Sequence, residues 1–225
     1  MNLNQQLSKE RDHWAAQIPA EKSALLVGDL ERLSRSELPE RALHAGERAP
    51  NFRLPDASGQ GIELDRLRAQ GPVVLVFYRG QWCPYCNLEL RAYQKLLPQF
   101  RALGATVVAI SPQTPDNSLS TAEKNELAFP VLSDVGSAVA RAYGLAFDLD
   151  AEMQSLYADF FGNDLAEYNG TDTVSGWTLP LPGTYLVGRD ARIELAAVEV
   201  DYRQRLEPQA VLDQLLTRAP LARAA

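Results

Sequence analysis

The chain has 225 residues, 46 % of them hydrophobic and 23 % charged, the proportions of an ordinary globular protein, so neither disorder nor a framework of disulfide staples need be invoked. Its 22 basic and 29 acidic residues leave a net charge of −7, which repels a polyanion and, with no basic run along the chain, argues against nucleic-acid binding. The opening residues lack the basic start and apolar stretch of a secretory leader, and no apolar run approaches the ~20 residues of a membrane span; a cytoplasmic protein with no membrane partner is expected.

Residues 1–44 read as a helical N-terminal extension. Trp14, Ile18, Leu25, Leu26, Leu30 and Leu33 recur at helical spacing, Pro19 interrupts them, and Pro39 ends the pattern. Such an extension can cap the main domain or contribute to a dimer contact. From Gly46 the texture changes to short apolar runs alternating with helical patterns, which marks a second unit over residues 45–218. Phe52–Leu54 and Ile62–Leu64 flank Asp56-Ala57-Ser58-Gly59 and predict a small hairpin. Val73-Val74-Leu75-Val76-Phe77-Tyr78 is a continuous β-branched and aromatic run, as suits a strand buried on both faces.

Leu88, Leu90, Tyr93, Leu96, Leu97 and Phe100 then mark a long amphipathic helix, and Thr106–Ile110 the next buried strand. Strand, helix and strand in that order make a parallel βαβ unit with a right-handed crossover. A helix over about 116–127, a short strand at Pro130–Leu132 and a helix over Val135–Tyr143 follow. Thr184–Val187 and Ile193–Val198 predict a strand pair turning through Arg189-Asp190-Ala191, and a last helix opens near Pro208. Between them, residues 147–180 show few strand signals, while Met153, Leu156, Tyr157, Phe160 and Phe161 suggest a helix. A segment this long reads as a helical insertion near a functional site. The expected class is α/β, a mixed central β-sheet flanked by helices.

The only two cysteines, Cys83 and Cys86, lie where the buried strand ends and the long helix begins. Open α/β sheets place their sites at the carboxyl ends of parallel strands. The unpaired N–H groups of a first helical turn, together with the helix dipole, favour a thiolate there. Pro84 suits the first turn, where no N–H is needed. Side chains three apart on a helix are neighbours, so one sulfur can be oxidised and the other can resolve it as a redox-active disulfide. A structural zinc ion needs four ligands, yet there is no second pair, and His13 and His44 both lie in the extension. No metal and no cofactor are therefore expected.

Gly46-Glu47-Arg48-Ala49-Pro50-Asn51-Phe52-Arg53-Leu54 with Asp56 and Gly59, then Phe77-Tyr78, and above all Phe129-Pro130-Val131-Leu132-Ser133-Asp134 running on to Ala140, Ala142, Tyr143 and Gly144, resemble peroxiredoxins of the AhpC/TSA type. The resemblance covers about residues 46–216 and implies a thioredoxin-like fold. It aligns Cys86 with the attacking cysteine. It also shows three departures: Cys83 stands where the family carries threonine, Arg79 where it carries proline, and Pro182 where it carries an arginine. The Trp-Cys-Pro-Tyr-Cys turn and Pro182 look instead like a thioredoxin, whose proline faces the cysteine pair, usually through a cis bond. Arg79 is either a solvated loop charge or a replacement for the missing arginine. Trp82 is either packing or a substrate contact, and Trp177 reads as core.

Two mechanisms follow. As a thiol peroxidase, Cys86 attacks hydrogen peroxide or an organic peroxide, Cys83 condenses with the sulfenic acid, and an external thiol of thioredoxin, glutaredoxin or glutathione type reduces the disulfide. As a thiol–disulfide oxidoreductase, Cys83 is the nucleophile and Cys86 resolves. A non-enzymatic redox sensor on the same fold is a third possibility. The resemblance alone makes a homodimer plausible.

Overall fold

The computed structural model describes residues 1–170 and 174–218; residues 171–173 of the expected insertion lie outside the described residues. Three helices open the chain: α1 (Leu3–Ala15), α2 (Ala20–Ser34) and α3 (Leu38–Arg41). A hairpin of β1 (Arg53–Pro55) and β2 (Gly61–Glu63) leads into α4 (Leu64–Gln70). Then come β3 (Val73–Phe77), α5 (Pro84–Ala102), β4 (Thr106–Ser111), α6 (Pro115–Lys124), β5 (Val131–Ser133) and α7 (Ala138–Ala142). The next segment holds β6 (Ala146–Asp148), α8 (Ala151–Ser155), a π-helical turn (Leu156–Phe160), α9 (Leu165–Asn169), a 3₁₀ turn (Val174–Trp177) and β7 (Thr178–Pro180). The chain closes with β8 (Gly183–Val187), β9 (Ile193–Val198) and α10 (Pro208–Arg218).

The central sheet runs β5-β4-β3-β8-β9, with β3, β4 and β5 parallel and β8 and β9 antiparallel. This is the mixed sheet and parallel βαβ unit that the apolar runs predict. Every residue of β3 is buried, because successive side chains point to opposite faces and both faces are covered. Val74 and Val76 join Leu90, Tyr93 and Leu97 of α5 and Val211 and Leu212 of α10 in one core. Val73, Leu75 and Phe77 face the other way, onto Leu64, Val139 and Tyr143.

The N-terminal helices enter these same cores. Leu3 and Leu7 of α1 belong to the core of α5, while Leu33 and Leu38 join the opposite one. Glu207, just before α10, accepts hydrogen bonds from the backbone N–H groups of Leu3 and Asn4 at 3.2 and 2.7 Å. A carboxylate there complements the positive end of α1 and ties it to the end of the sheet domain.

Three local differences have clear causes. The helix expected over Val135–Tyr143 starts only at Ala138, because Gly136 and Ser137 are left-handed, with φ of 81° and 60°. The helix expected to reach residue 127 ends at Lys124, just ahead of Glu126 at φ 52°. The 147–180 segment is closed at its base by a β6–β7 hairpin in which Ala146 pairs with Pro180 and Asp148 with Thr178. Its helices make a small core of their own with Leu26 of α2, and Trp177 packs against it. No helix among the described residues is long and apolar enough to cross a membrane.

Candidate active site

The turn after β3 is held from behind by a polar lattice. Gln113 Oε1 accepts the Gln81 N–H at 2.8 Å, Asn87 Nδ2 donates to the Gln81 carbonyl at 2.8 Å, and Asn125 Nδ2 donates to Asn87 Oδ1 at 2.9 Å. Gly80 adopts φ +152°, and a Cβ there would fall 2.4 Å from Trp82 Nε1. Glycine therefore lets the indole fold back over the turn. The Cys83 N–H closes the turn on the Gly80 carbonyl at 3.1 Å, and Pro84 begins α5.

The sulfurs of Cys83 and Cys86 lie 2.7 Å apart in hydrogen-bond contact, both cysteines free and buried. The surroundings decide which keeps its proton. Arg205 Nη2 donates to Cys86 Sγ at 3.3 Å. Burial alone would raise the Cys86 thiol, but the Cys83 hydrogen bond, the Arg205 charge, a backbone hydrogen bond from Arg79 and the Arg79 charge bring it down to about 5. Burial pushes the Cys83 thiol well up, and its hydrogen bond to Cys86 adds to the rise. Cys83 is thus the thiol that donates, and Cys86 the thiolate that accepts.

Arg205 comes from the stretch between β9 and α10. Its Nη1 donates to the carbonyls of Tyr202 and Gln204 at 2.5 and 2.6 Å, and its Nε to Glu89 Oε2 at 2.5 Å. Glu89 lies one turn beyond Cys86 on α5, and both side chains of this ion pair are almost wholly buried. Burial pushes the Glu89 carboxyl up, the Arg205 charge opposes this, and the Cys86 charge adds to the rise, to about 7.

Arg79 is buried as well, not a solvated loop charge. Its guanidinium stacks on the rings of Tyr202, Trp82 and Tyr157 at 4.2, 5.0 and 5.4 Å and donates to the Tyr157 hydroxyl. It reaches the sulfurs through its charge, while Arg205 makes the side-chain contact. Trp82 is half-buried, edge-on to Tyr157 at 5.3 Å. A cavity of about 100 Å³ opens above Cys83, walled by Trp82, Tyr85, Tyr157, Phe161 and Tyr202 and by Trp14 and Ile18 of the N-terminal segment. Cys86 is not part of its lining.

Pro182 departs from the expectation of a cis proline facing the pair. Its peptide bond is trans, and it lines a smaller cavity behind Arg79 with Leu181 and Tyr157 rather than the one above Cys83. The Leu181 N–H bonds the Leu145 carbonyl at 2.9 Å and the Pro182 carbonyl accepts the Glu199 N–H at 3.0 Å, which carries the chain directly from β7 into β8.

The structure thus brings Cys83, Cys86, Arg79 and Trp82 together, puts Pro182 in a cavity it shares with Arg79, Tyr157 and Tyr202, and adds Arg205, Glu89, Tyr157 and Tyr202. Of these additions Tyr157 falls on the helical pattern read in the insertion, and Glu89 left a trace as a carboxylate on the apolar stripe of α5, between Cys86 and Tyr93.

The family model described as AhpC/TSA matches residues 45–196. A chloroplastic peroxiredoxin Q of Populus jackii is 26 % identical over 174 residues, covering 77 % of this chain and 67 % of that protein. The thiol-disulfide oxidoreductase ResA of Halalkalibacterium halodurans is 33 % identical over 102 residues, 45 % of this chain and 57 % of that one. The chain thus spans about two thirds of the first of these relatives and a little over half of the second. Among solved structures, peroxidoxin BcpB from Mycobacterium tuberculosis superposes with a TM-score of 0.62 at 22 % identity, covering 79 % of this chain and all but 1 % of that one (99 %).

Proposed function

The chain belongs to the AhpC/TSA family, and from that premise we propose that it is a thiol-dependent peroxidase in which Cys86 attacks and Cys83 resolves. The observation that carries this reading is the Arg205 guanidinium 3.3 Å from Cys86 Sγ, with Cys83 Sγ 2.7 Å from the same sulfur. The thiolate attacks one oxygen of the peroxide, the O–O bond breaks, and Cys86 becomes a sulfenic acid. The guanidinium that stabilises the thiolate also stands where negative charge develops on the leaving oxygen. Cys83, already in contact, condenses with the sulfenic acid and releases water. An external thiol returns the disulfide to the dithiol, with Cys86 leaving as a stabilised thiolate. Arg79 supplies a second positive charge and holds the aromatic wall, and Trp82 covers the pair. Peroxide and a thiol reductant are the implied partners.

Stopped-flow tryptophan fluorescence of the reduced protein mixed with hydrogen peroxide tests this in wild type, Cys83→Ser and Cys86→Ser. Trp82 adjoins the pair and reports its oxidation. The proposal expects a phase far faster than free cysteine that Cys86→Ser alone abolishes. One observation favours a second reading, a thiol–disulfide oxidoreductase: Cys83, not Cys86, lines the cavity. If no variant outpaces a free thiol while Cys83→Ser alone abolishes reduction of a model disulfide, that reading replaces the first.

A further inference from the structure

Cys86, Arg205 and Glu89 form a row of three buried side chains, with the cation in the middle. Arg205 Nη2 reaches Cys86 Sγ at 3.3 Å and Arg205 Nε reaches Glu89 Oε2 at 2.5 Å. One guanidinium therefore stands between two groups that can each carry a negative charge. An uncompensated second anion in such a place is costly, since water cannot reach it. The other carboxyl oxygen, Glu89 Oε1, is buried and finds no hydrogen-bond donor among the described residues. The groups that face this carboxyl are few. Its own helix contributes Cys86 and Tyr93, whose hydroxyl contacts Thr184 Oγ1 at 3.4 Å. The segment after β9 contributes Arg205, whose charge also acts on the partly buried Glu199 carboxyl of that segment. Arg79 is turned away, its guanidinium enclosed by Trp82, Tyr157 and Tyr202. The raised affinity of Glu89 for a proton has burial as its main cause and the Cys86 charge as a further one.

We propose that Glu89 stores the proton of the redox cycle, holding it while Cys86 is a thiolate and releasing it when Cys86 enters a covalent bond, so that Arg205 is neutralised by one anion at a time. The proposal rests on the reading that the pair cycles between dithiol and disulfide. In the oxidative half, the Cys86 thiolate forms an S–O bond as the O–O bond of the hydroperoxide breaks. The departing alkoxide or hydroxide takes up the proton that Glu89 gives up. The carboxylate then replaces the lost thiolate as the counter-ion of Arg205. Cys83 next attacks the sulfenic acid sulfur, the S–S bond forms, and water leaves with the Cys83 proton. In the reductive half, two external thiols become one disulfide. Their two electrons break the Cys83–Cys86 bond and their two protons return, one to Cys83 and one to Glu89. Glu89 acts through Arg205 and is a positioning and proton-holding residue.

The test is the pH dependence of the reduction potential of the Cys83–Cys86 couple in the full chain, equilibrated with reduced and oxidised dithiothreitol at about pH 6, between the values of Cys86 and Glu89. Wild type takes up two protons for each two electrons, so its potential falls with pH twice as steeply as that of Glu89→Gln, which takes up one. A merely structural role for Glu89 would shift the potential without changing its slope. Equal slopes in the two proteins overturn the proposal. Should Glu89→Gln fold poorly, the oxidised-minus-reduced infrared difference spectrum of wild type decides: loss of a protonated-carboxyl C=O band on oxidation supports the storage role, and no carboxyl change refutes it. Neither measurement uses peroxide, so a protein that is no peroxidase can still pass. A pair that forms no disulfide at all overturns the cycling reading and this proposal with it.

Discussion

Removing the Arg205 guanidinium should raise the pKa of Cys86 and make peroxide reactivity fall away below neutral pH. A hydrogen bond between charged groups contributes about 1.5–3 kcal/mol. At ~1.4 kcal/mol per pKa unit this corresponds to about 1–2 units. Cys86 would move from about 5 to about 6–7, and its thiolate fraction at pH 6 would fall from about nine-tenths to between a half and a tenth. Arg205→Leu alone strands Glu89 in the interior, and breaking a buried pair from one side costs about 3–5 kcal/mol. The double variant Glu89→Leu with Arg205→Leu removes both charges, which is close to neutral for stability, and is the better host. Ultraviolet thiolate absorbance, titrated in the reduced double variant, reads the inflection directly. An inflection that stays at about 5 in a folded double variant would refute the assignment of Arg205 as the group that holds the thiolate.

Leu7 is 3 % exposed within the α5 core; Leu7→Ala should cost about 2–5 kcal/mol in denaturant unfolding, whereas a loss below ~0.5 kcal/mol would make α1 a detachable appendage. Gly80→Ala places a Cβ against the Trp82 indole at a φ of +152°; it should cost about 1–3 kcal/mol and change the Trp82 emission of the reduced protein, and an unchanged spectrum would contradict the seat assigned to the indole. Because the folded pKa of Cys86 is depressed, the unfolded chain holds the extra proton over the interval between the two values. Below about 7 the proton that the folded state keeps on Glu89 offsets the one it gives up at Cys86, so the reduced protein should gain stability as pH rises from about 7 towards the ~8.5 of an unfolded thiol and lose it as pH falls again. Cys86→Ser should lack that slope, and equal slopes in the two proteins would refute the depressed value.

The parts of the fold legible in the sequence are those whose signal is local and repeated. Val73–Phe77 announces a strand buried on both faces, and Cys86, Leu90, Tyr93, Leu97 and Phe100 trace one side of α5. The β6–β7 hairpin was not legible, because three-residue strands cannot show alternation and Thr178 must find Asp148 across the whole intervening segment. At the site, the cysteines announced themselves through spacing and position. Arg205 did not, since it lies 119 residues beyond Cys86 in a stretch without periodicity; only the return of the chain past β9 brings it to the sulfur. Glu89 could have been suspected, because a carboxylate on the apolar face of a helix needs a cation to meet it.

That same separation bears on how the protein is made. A ribosome synthesises the cysteine turn long before it reaches Arg205. Until β9 has paired and the following residues have folded over α5, the nascent chain lacks the guanidinium that donates to Cys86 Sγ. The sulfur of an unfinished chain is then an ordinary protonated thiol, slow to react with oxidants. The contact that lowers the Cys86 thiol thus depends on a residue made 119 positions later, and a chain stopped short of Arg205 would lack it.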